Sequence, residues 1–177
     1  MRHIFARWQR RLASTRDLYA GRLAIAHATL EATVFRADGR IERLGVIARK
    51  KVTGEFVTFI VANMVTDTTE IGDFKFHDSG TGVAAEANTD GDLGTPAGPT
   101  TRATGTQVQG GTAAAPTYTS VGTIAYTGTL AITEHGVFTT AARTSTVLMD
   151  RSVFAAINVV SGDSIQFTYV LTINAEA

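Results

Sequence analysis

Asp78-Ser79-Gly80-Thr81 is the stretch of this chain that most nearly spells a catalytic pattern. In the short aspartic-protease motif, two such loops bring two carboxylates together to share one proton. That chemistry needs an apolar run before the aspartate and a second loop. Here His77 precedes Asp78 and no second copy follows, so a plain loop after a strand is the expectation. Gly80-Thr81-Gly82-Val83-Ala84-Ala85 fits the loose dinucleotide fingerprint and follows a strand-like run, but the βαβ unit and the later acidic residue are missing. Asn88, Asp90 and Asp92 around Gly91 resemble the start of a calcium loop, yet position 99, where the bidentate Glu belongs, is Pro. The four histidines, His3, His27, His77 and His135, have no metal-ligand spacing. In Glu134-His135-Gly136 the acid and the imidazole are adjacent on a strand, so their side chains leave on opposite faces and cannot act as a pair. No Walker loop, helical His-Glu-x-x-His or Gly-x-Ser-x-Gly elbow occurs. The expectation is a protein that is not an enzyme, with no catalytic residue, no metal site and no cofactor.

The elements that would position such groups are β-strands. The 177 residues, 44% hydrophobic and 18% charged, are globular by composition and about one domain long. Cysteine is absent, which excludes a disulfide framework, a thiolate zinc site and a cysteine nucleophile. No run approaches the ~18 apolar residues of a membrane span, and the N-terminus lacks the apolar core of a secretory signal, so a soluble chain is expected. Threonine occurs 28 times and glycine 17, against three lysines, a bias toward strands and turns.

Net charge is zero, but it is unevenly placed. Residues 1–51 carry 10 Arg and 2 Lys against 2 Asp and 2 Glu, a net of +8; residues 52–177 carry 3 Arg and 1 Lys against 7 Asp and 5 Glu, a net of −8. In residues 2–23, Ile4, Trp8, Leu12, Tyr19 and Leu23 recur at near-helical spacing among arginines. The reading is a basic helical arm over residues 1–28 with a β-rich body over 29–177. Arg2, Arg7, Trp8, Arg10, Arg11, Arg16 and Tyr19 are the candidate partner-binding residues, able to meet an acidic protein surface or, as the alternative, nucleic acid. The apolar face is too narrow for a membrane-surface helix.

Within the body, Asp38-Gly39 between two β-prone runs predicts a hairpin. Thr53 predicts a helix cap, followed by an apolar stripe of Phe56, Val57, Ile60, Val61 and Met64. Ile71 to His77 reads as a strand with Phe74 and Phe76 on one face. Residues 94–117 are 20 of 24 Gly, Ala, Thr or Pro and read as a long surface loop or extended arm. Ile124, Tyr126, Leu130 and Ile132 share one parity, with Gly128 where that strand bends or bulges, and Ile165, Phe167, Tyr169, Leu171 and Ile173 share another. Strands of this kind, with a Ser161-Gly162-Asp163 turn, predict a mainly β fold. The expected form is an antiparallel β-sandwich or jelly-roll-like body with one short helix, apolar on one wall and threonine-coated on the other.

Several segments together carry a resemblance: Phe74 to Gly82, Arg102 to Gln107, Ala131-Ile132-Thr133-Glu134-His135-Gly136-Val137-Phe138, and Leu148 to Phe154 through Ile157 to Ile165. They resemble a family of small structural proteins of tailed bacteriophages, over roughly residues 41 to 173. The resemblance implies a virion component: a capsid decoration (cement) protein, or the base of a fibre or a tail adaptor. It would act as a homo-oligomer, with a trimer as one option, and would have the major capsid protein as partner.

Overall fold

The structure is a computed structural model that describes residues 24–50, 52–65, 71–112, 115–144 and 146–174. The expected helical arm, with Arg2, Arg7, Trp8, Arg10, Arg11, Arg16 and Tyr19, lies outside the described residues up to Gly21-Arg22-Leu23. Its last five residues belong elsewhere, because the first strand, β1, runs Ala24–Phe35 and so takes in residues 24–28.

The described part is mainly β, with two antiparallel sheets. β1 turns at Asp38-Gly39 into β2 (Ile41–Lys50). Gly39 has a φ of 87°, the left-handed conformation that makes Asp-Gly a hairpin signal. Helix α1 (Gly54–Val65) follows, then β3 (Phe76–Gly80), β4 (Ala103–Thr104), β5 (Thr106–Gly111), β6 (Pro116–Ala125), β7 (Leu130–Phe138), β8 (Leu148–Val159) and β9 (Ser164–Asn174). The five-stranded sheet has the order β2-β1-β9-β6-β5, and the four-stranded sheet β4-β3-β7-β8. β9 is central, as its uninterrupted alternation predicts: Ile165, Phe167, Tyr169 and Leu171 are buried, while Gln166, Thr168, Val170 and Thr172 are half-exposed.

One hydrophobic cluster draws on both sheets. Leu30 and Val34 of β1 and Phe167 of β9 meet Ile132 and Val137 of β7 and Phe154 and Val159 of β8. α1 joins this core beside β8. Thr53 caps the helix as expected, accepting a hydrogen bond from the Phe56 amide (3.2 Å) and donating one to the Leu148 carbonyl. The buried face of the helix differs from the expected stripe. Phe56 and Phe59 are buried, each edge-on to Phe74 with ring centroids 5.0 and 4.9 Å away, whereas Val57 and Val61 are exposed. An aromatic ring seats more area in the gap above Phe74 than a valine can, and this rotates the helix.

Three further expectations are corrected. Residues 71–73 form a 3-10 turn rather than a strand, which places Phe74 in the core before β3 starts at Phe76. Residues 94–117 are not one loop, since β4, β5 and the start of β6 lie inside them. Residues 124–133 are not one bent strand either. β6 ends at Ala125 in the five-stranded sheet, and β7 begins at Leu130 in the other. Among the described residues no helix is long and apolar enough to cross a membrane.

The segment between β3 and β4 is laid over the outer face of the four-stranded sheet. Leu93 packs there on Phe138 and Leu148, with Phe76 beside them. The Thr81 amide donates to the Thr95 carbonyl, and the Ala97 and Gly98 amides both donate to the Ser79 carbonyl (2.9 and 3.0 Å). The four-stranded sheet is therefore covered on both faces.

Candidate functional site

The residues with chemical potential collect on β3 and β7, and strand alternation sorts them into two compartments. His77, Ser79 and His135 point between the sheets; Asp78 and Glu134 point out toward the covering segment.

Asp78 is fully buried and is held by two arginines. Arg143 donates from Nε and Nη2 to its two oxygens at 3.0 Å each, a bidentate fork, and Arg102 Nε lies 3.4 Å from Oδ2. Burial pushes the Asp78 carboxyl up, against the lowering effect of the Arg143 and Arg102 charges. Arg102 is itself buried, stacks its guanidinium 3.6 Å from the centre of the Phe138 ring and donates to the carbonyls of Thr140 and Ala142. The group that looked like half of a protease dyad therefore ties together β3, the segment at Gly98 and the loop after β7.

Glu134 makes a second clamp. Its Oε1 accepts hydrogen bonds from the amides of Gly82 (2.9 Å) and Thr95 (2.7 Å), and its Oε2 from the Gly94 amide (2.9 Å) and Arg151 Nε (2.8 Å). Burial alone would raise this carboxyl, but the hydrogen bonds from Thr95, Gly94, Arg151 and Gly82 outweigh it and hold it below the ordinary range. Arg151 also reaches Asp90 Oδ2 (3.0 Å) and the Ala84 carbonyl. Asp90, read as part of a calcium-like loop, is thus the far end of an ion-pair chain, and Asp92 faces Arg102 Nη2 at 3.5 Å. Among the described residues no group of three or more His, Asp or Glu is placed to hold a metal ion.

The interior compartment is a polar thread through an apolar core. His77 Nδ1 and His135 Nε2 share a hydrogen bond (2.9 Å), and His77 Nε2 shares another with Ser120 Oγ on β6 (2.8 Å). Ser79 Oγ and Tyr126 OH share a third (2.9 Å). The His135 ring lies 4.4 Å, centre to centre, from Phe167 on β9. Gly122 on β6 lets the His77 ring fit, since a Cβ there would overlap the imidazole. Burial pushes His77 down to about 4, and burial with the neighbouring His77 holds His135 well below its ordinary value.

A third clamp closes the hairpin end. Arg36 donates to Glu42 Oε2 (2.7 Å), Asp163 Oδ2 (3.0 Å) and the Asn158 carbonyl (2.6 Å), and the Ala37 amide donates to Asp163 Oδ1 (2.8 Å). A cleft of about 630 Å³ opens beside it, reaching Arg40, Leu130 and Val160. Its charges are engaged with one another, Arg40 with Asp38 (2.7 Å) included.

The chemistry this arrangement performs is fixation: charge-assisted hydrogen bonds hold long connections on the sheets. The sequence reading singled out Asp78, Asp90, Asp92, Glu134 and His135 but missed their partners. A signal was present, because residues 52–177 contain only three arginines, and Arg102, Arg143 and Arg151 are the three that face these buried or half-buried carboxylates. No protein family, curated protein or solved structure matches the chain.

Proposed function

We propose that the protein is a structural component of a tailed-bacteriophage virion that binds the assembled capsid shell as a homo-oligomer and stabilises it. The observation that carries this reading is the engagement of the acids and arginines of β3, β7 and β8 in clamps that fasten loops to sheets. Such a body is built to present rigid surfaces. The sequence resemblance over residues 41 to 173 supplies the virion setting. In the finer reading of the fold, the two sheets form a jelly-roll-like sandwich, and residues 1–23 are a basic helical arm that docks on the major capsid protein.

A protein that binds the assembled shell and not its separated subunits stabilises the shell by mass action. The gain is about 2.7 kcal/mol per site at a hundredfold excess over Kd. The test is to add purified protein to shells that lack it and to follow the temperature or osmotic shock at which they open. A rise that saturates with added protein supports decoration. An unchanged opening point, or attachment confined to tails, sinks it.

The +8 charge of residues 1–51 favours a second reading, a nucleic-acid-binding packing protein that uses Arg2, Arg7, Arg10, Arg11 and Arg16 with Trp8. That reading requires a shift of random duplex DNA with a steep salt dependence, and the absence of a shift at low salt removes it.

A further inference from the structure

We propose that the open face of helix α1 is the seat of this chain's own N-terminal segment, residues 2–23, which docks on it as an amphipathic helix. The face consists of Val57, Thr58, Val61 and Ala62. All four are exposed, Val57 by 46% and Val61 by 57%, while Phe56 and Phe59 on the other side are buried. Glu55 is the single charged residue among the 12 of α1. A helix apolar on all sides is ordinarily covered on all sides. Among the described residues, this one is covered on one. The contact requires no shell, and so goes beyond the virion reading.

The point where residues 2–23 join the body selects them as the occupant. Phe56 and Phe59 stand edge-on to Phe74, whose carbonyl accepts a hydrogen bond from the Tyr118 hydroxyl. Tyr118 on β6 is in register with Leu171 on β9, and Leu171 with Ala28 on β1. The segment therefore enters β1, at Ala24, from the end of the five-stranded sheet nearest α1. The gap is short, at two strand spacings, about 10 Å, and four residues of strand, about 13 Å. A helix over residues 2–23 would run about 33 Å against about 18 Å for α1, enough to reach and cover it.

The two surfaces also match in chemistry. At about 100° per residue, Ile4, Trp8, Leu12 and Tyr19 fall on one side of the segment. Bulky side chains there meet Val, Thr and Ala on α1, the large-on-small pairing that lets two helices interdigitate. The charges are opposite. Residues 2–23 carry six Arg against one Asp, a net of +5, and residues 52–74 carry Glu55, Asp67, Glu70 and Asp73 with no Lys or Arg, a net of −4. Arg11 and Arg16 flank the apolar side, whereas Arg2, Arg7 and Arg10 point away from it and stay free as a basic surface.

The experiment uses the full-length chain in dilute solution. Trp8 is its one tryptophan, so fluorescence reads the segment alone. The native emission maximum is expected to lie to the blue of the urea-unfolded chain. Val61→Arg is expected to move it back to the red with an unchanged circular dichroism spectrum. A native maximum equal to that of the unfolded chain, or one that Val61→Arg leaves in place, overturns the proposal. Should Val61→Arg fail to fold, single cysteines decide, because the chain has none of its own. An acceptor dye on Val61→Cys is expected to quench Trp8 strongly. The same dye on Val160→Cys, exposed in the turn before β9 at the far end of the sheet, is expected to leave it nearly unchanged. Equal quenching at both positions overturns the proposal. Quenching from Val61→Cys that vanishes on dilution overturns it too, and places the segment on α1 of a second copy.

Discussion

His77 and His135 are 58 residues apart in the chain, yet Nδ1 of one lies 2.9 Å from Nε2 of the other, with both rings sealed from solvent. Of the two ring nitrogens that remain, His77 Nε2 meets Ser120, while His135 Nδ1 has no hydrogen-bond partner among the described residues. The arrangement suits two neutral imidazoles. A further proton would bring a charge into an apolar interior with nothing to accept its hydrogen bond.

Acid sensitivity follows from that pair. His77 titrates near 4 in the folded chain and near 6.5 when unfolded, so between those values the unfolded state binds more protons. Stability is fully present above pH 6.5 and is lost as pH falls toward 4, by roughly 3 kcal/mol from this residue. His135 shifts in the same direction. Melting temperature measured from pH 8 down to pH 5 is expected to fall below about 6.5, and a flat profile would contradict the buried neutral pair. Glu134, held below its ordinary range, loses its contribution only at lower pH, so the histidine window can be read separately.

Phe167 and Thr168 are neighbours on β9 with opposite fates. Phe167→Ala empties a fully buried site that packs on Phe154 and His135, at a cost of about 3 to 5 kcal/mol. Thr168→Ala is expected to cost under ~1 kcal/mol. Urea denaturation of the two variants compares them directly, and equal midpoints would mean that the parity of the strand has been misassigned.

Removing Glu134 should release the segment it holds. Glu134→Ala leaves the buried Arg151 with Asp90 as its one carboxylate partner, beside the Ala84 carbonyl, and frees the amides of Gly82, Gly94 and Thr95, a loss of about 3 to 5 kcal/mol. Hydrogen exchange should speed up across residues 81–95 well before it does in β9. Protection that stays even across both would show that the clamp is dispensable.

Deleting residues 2–23 leaves every described strand intact, because β1 begins at Ala24. The expected product melts within a few degrees of the full chain but no longer joins particles. Extending the deletion to residue 28 removes the part of β1 where Ala24, Ile25, His27 and Ala28 pair with β9, and should lower the melting temperature. Equal incorporation of the 2–23 deletion and the full chain into particles would rule out docking through the arm.

How much of this was legible without coordinates depends on the range of the interaction. Asp38-Gly39, the Thr53 cap and the odd-numbered run of β9 are local signals, in which a few neighbouring residues already restrict φ, ψ or the buried face, and each appears where it was read. Residues 94–117 carried no such signal. Thr106–Gly111 is a strand because its backbone pairs with Pro116–Val121, and short side chains advertise nothing about that partner. The apolar parity of 124–132 was real, but it could not say that the chain leaves one sheet at Ala125 and enters the other at Leu130. The site divides in the same way. Strand alternation alone put Glu134 and His135 on opposite faces. That Glu134 would meet Arg151, Asp78 meet Arg143 and His135 meet His77 was decided by the packing of strands far apart in sequence. A buried charge or imidazole takes the partner that the fold brings within hydrogen-bond reach, and residue spacing along the chain does not encode that distance.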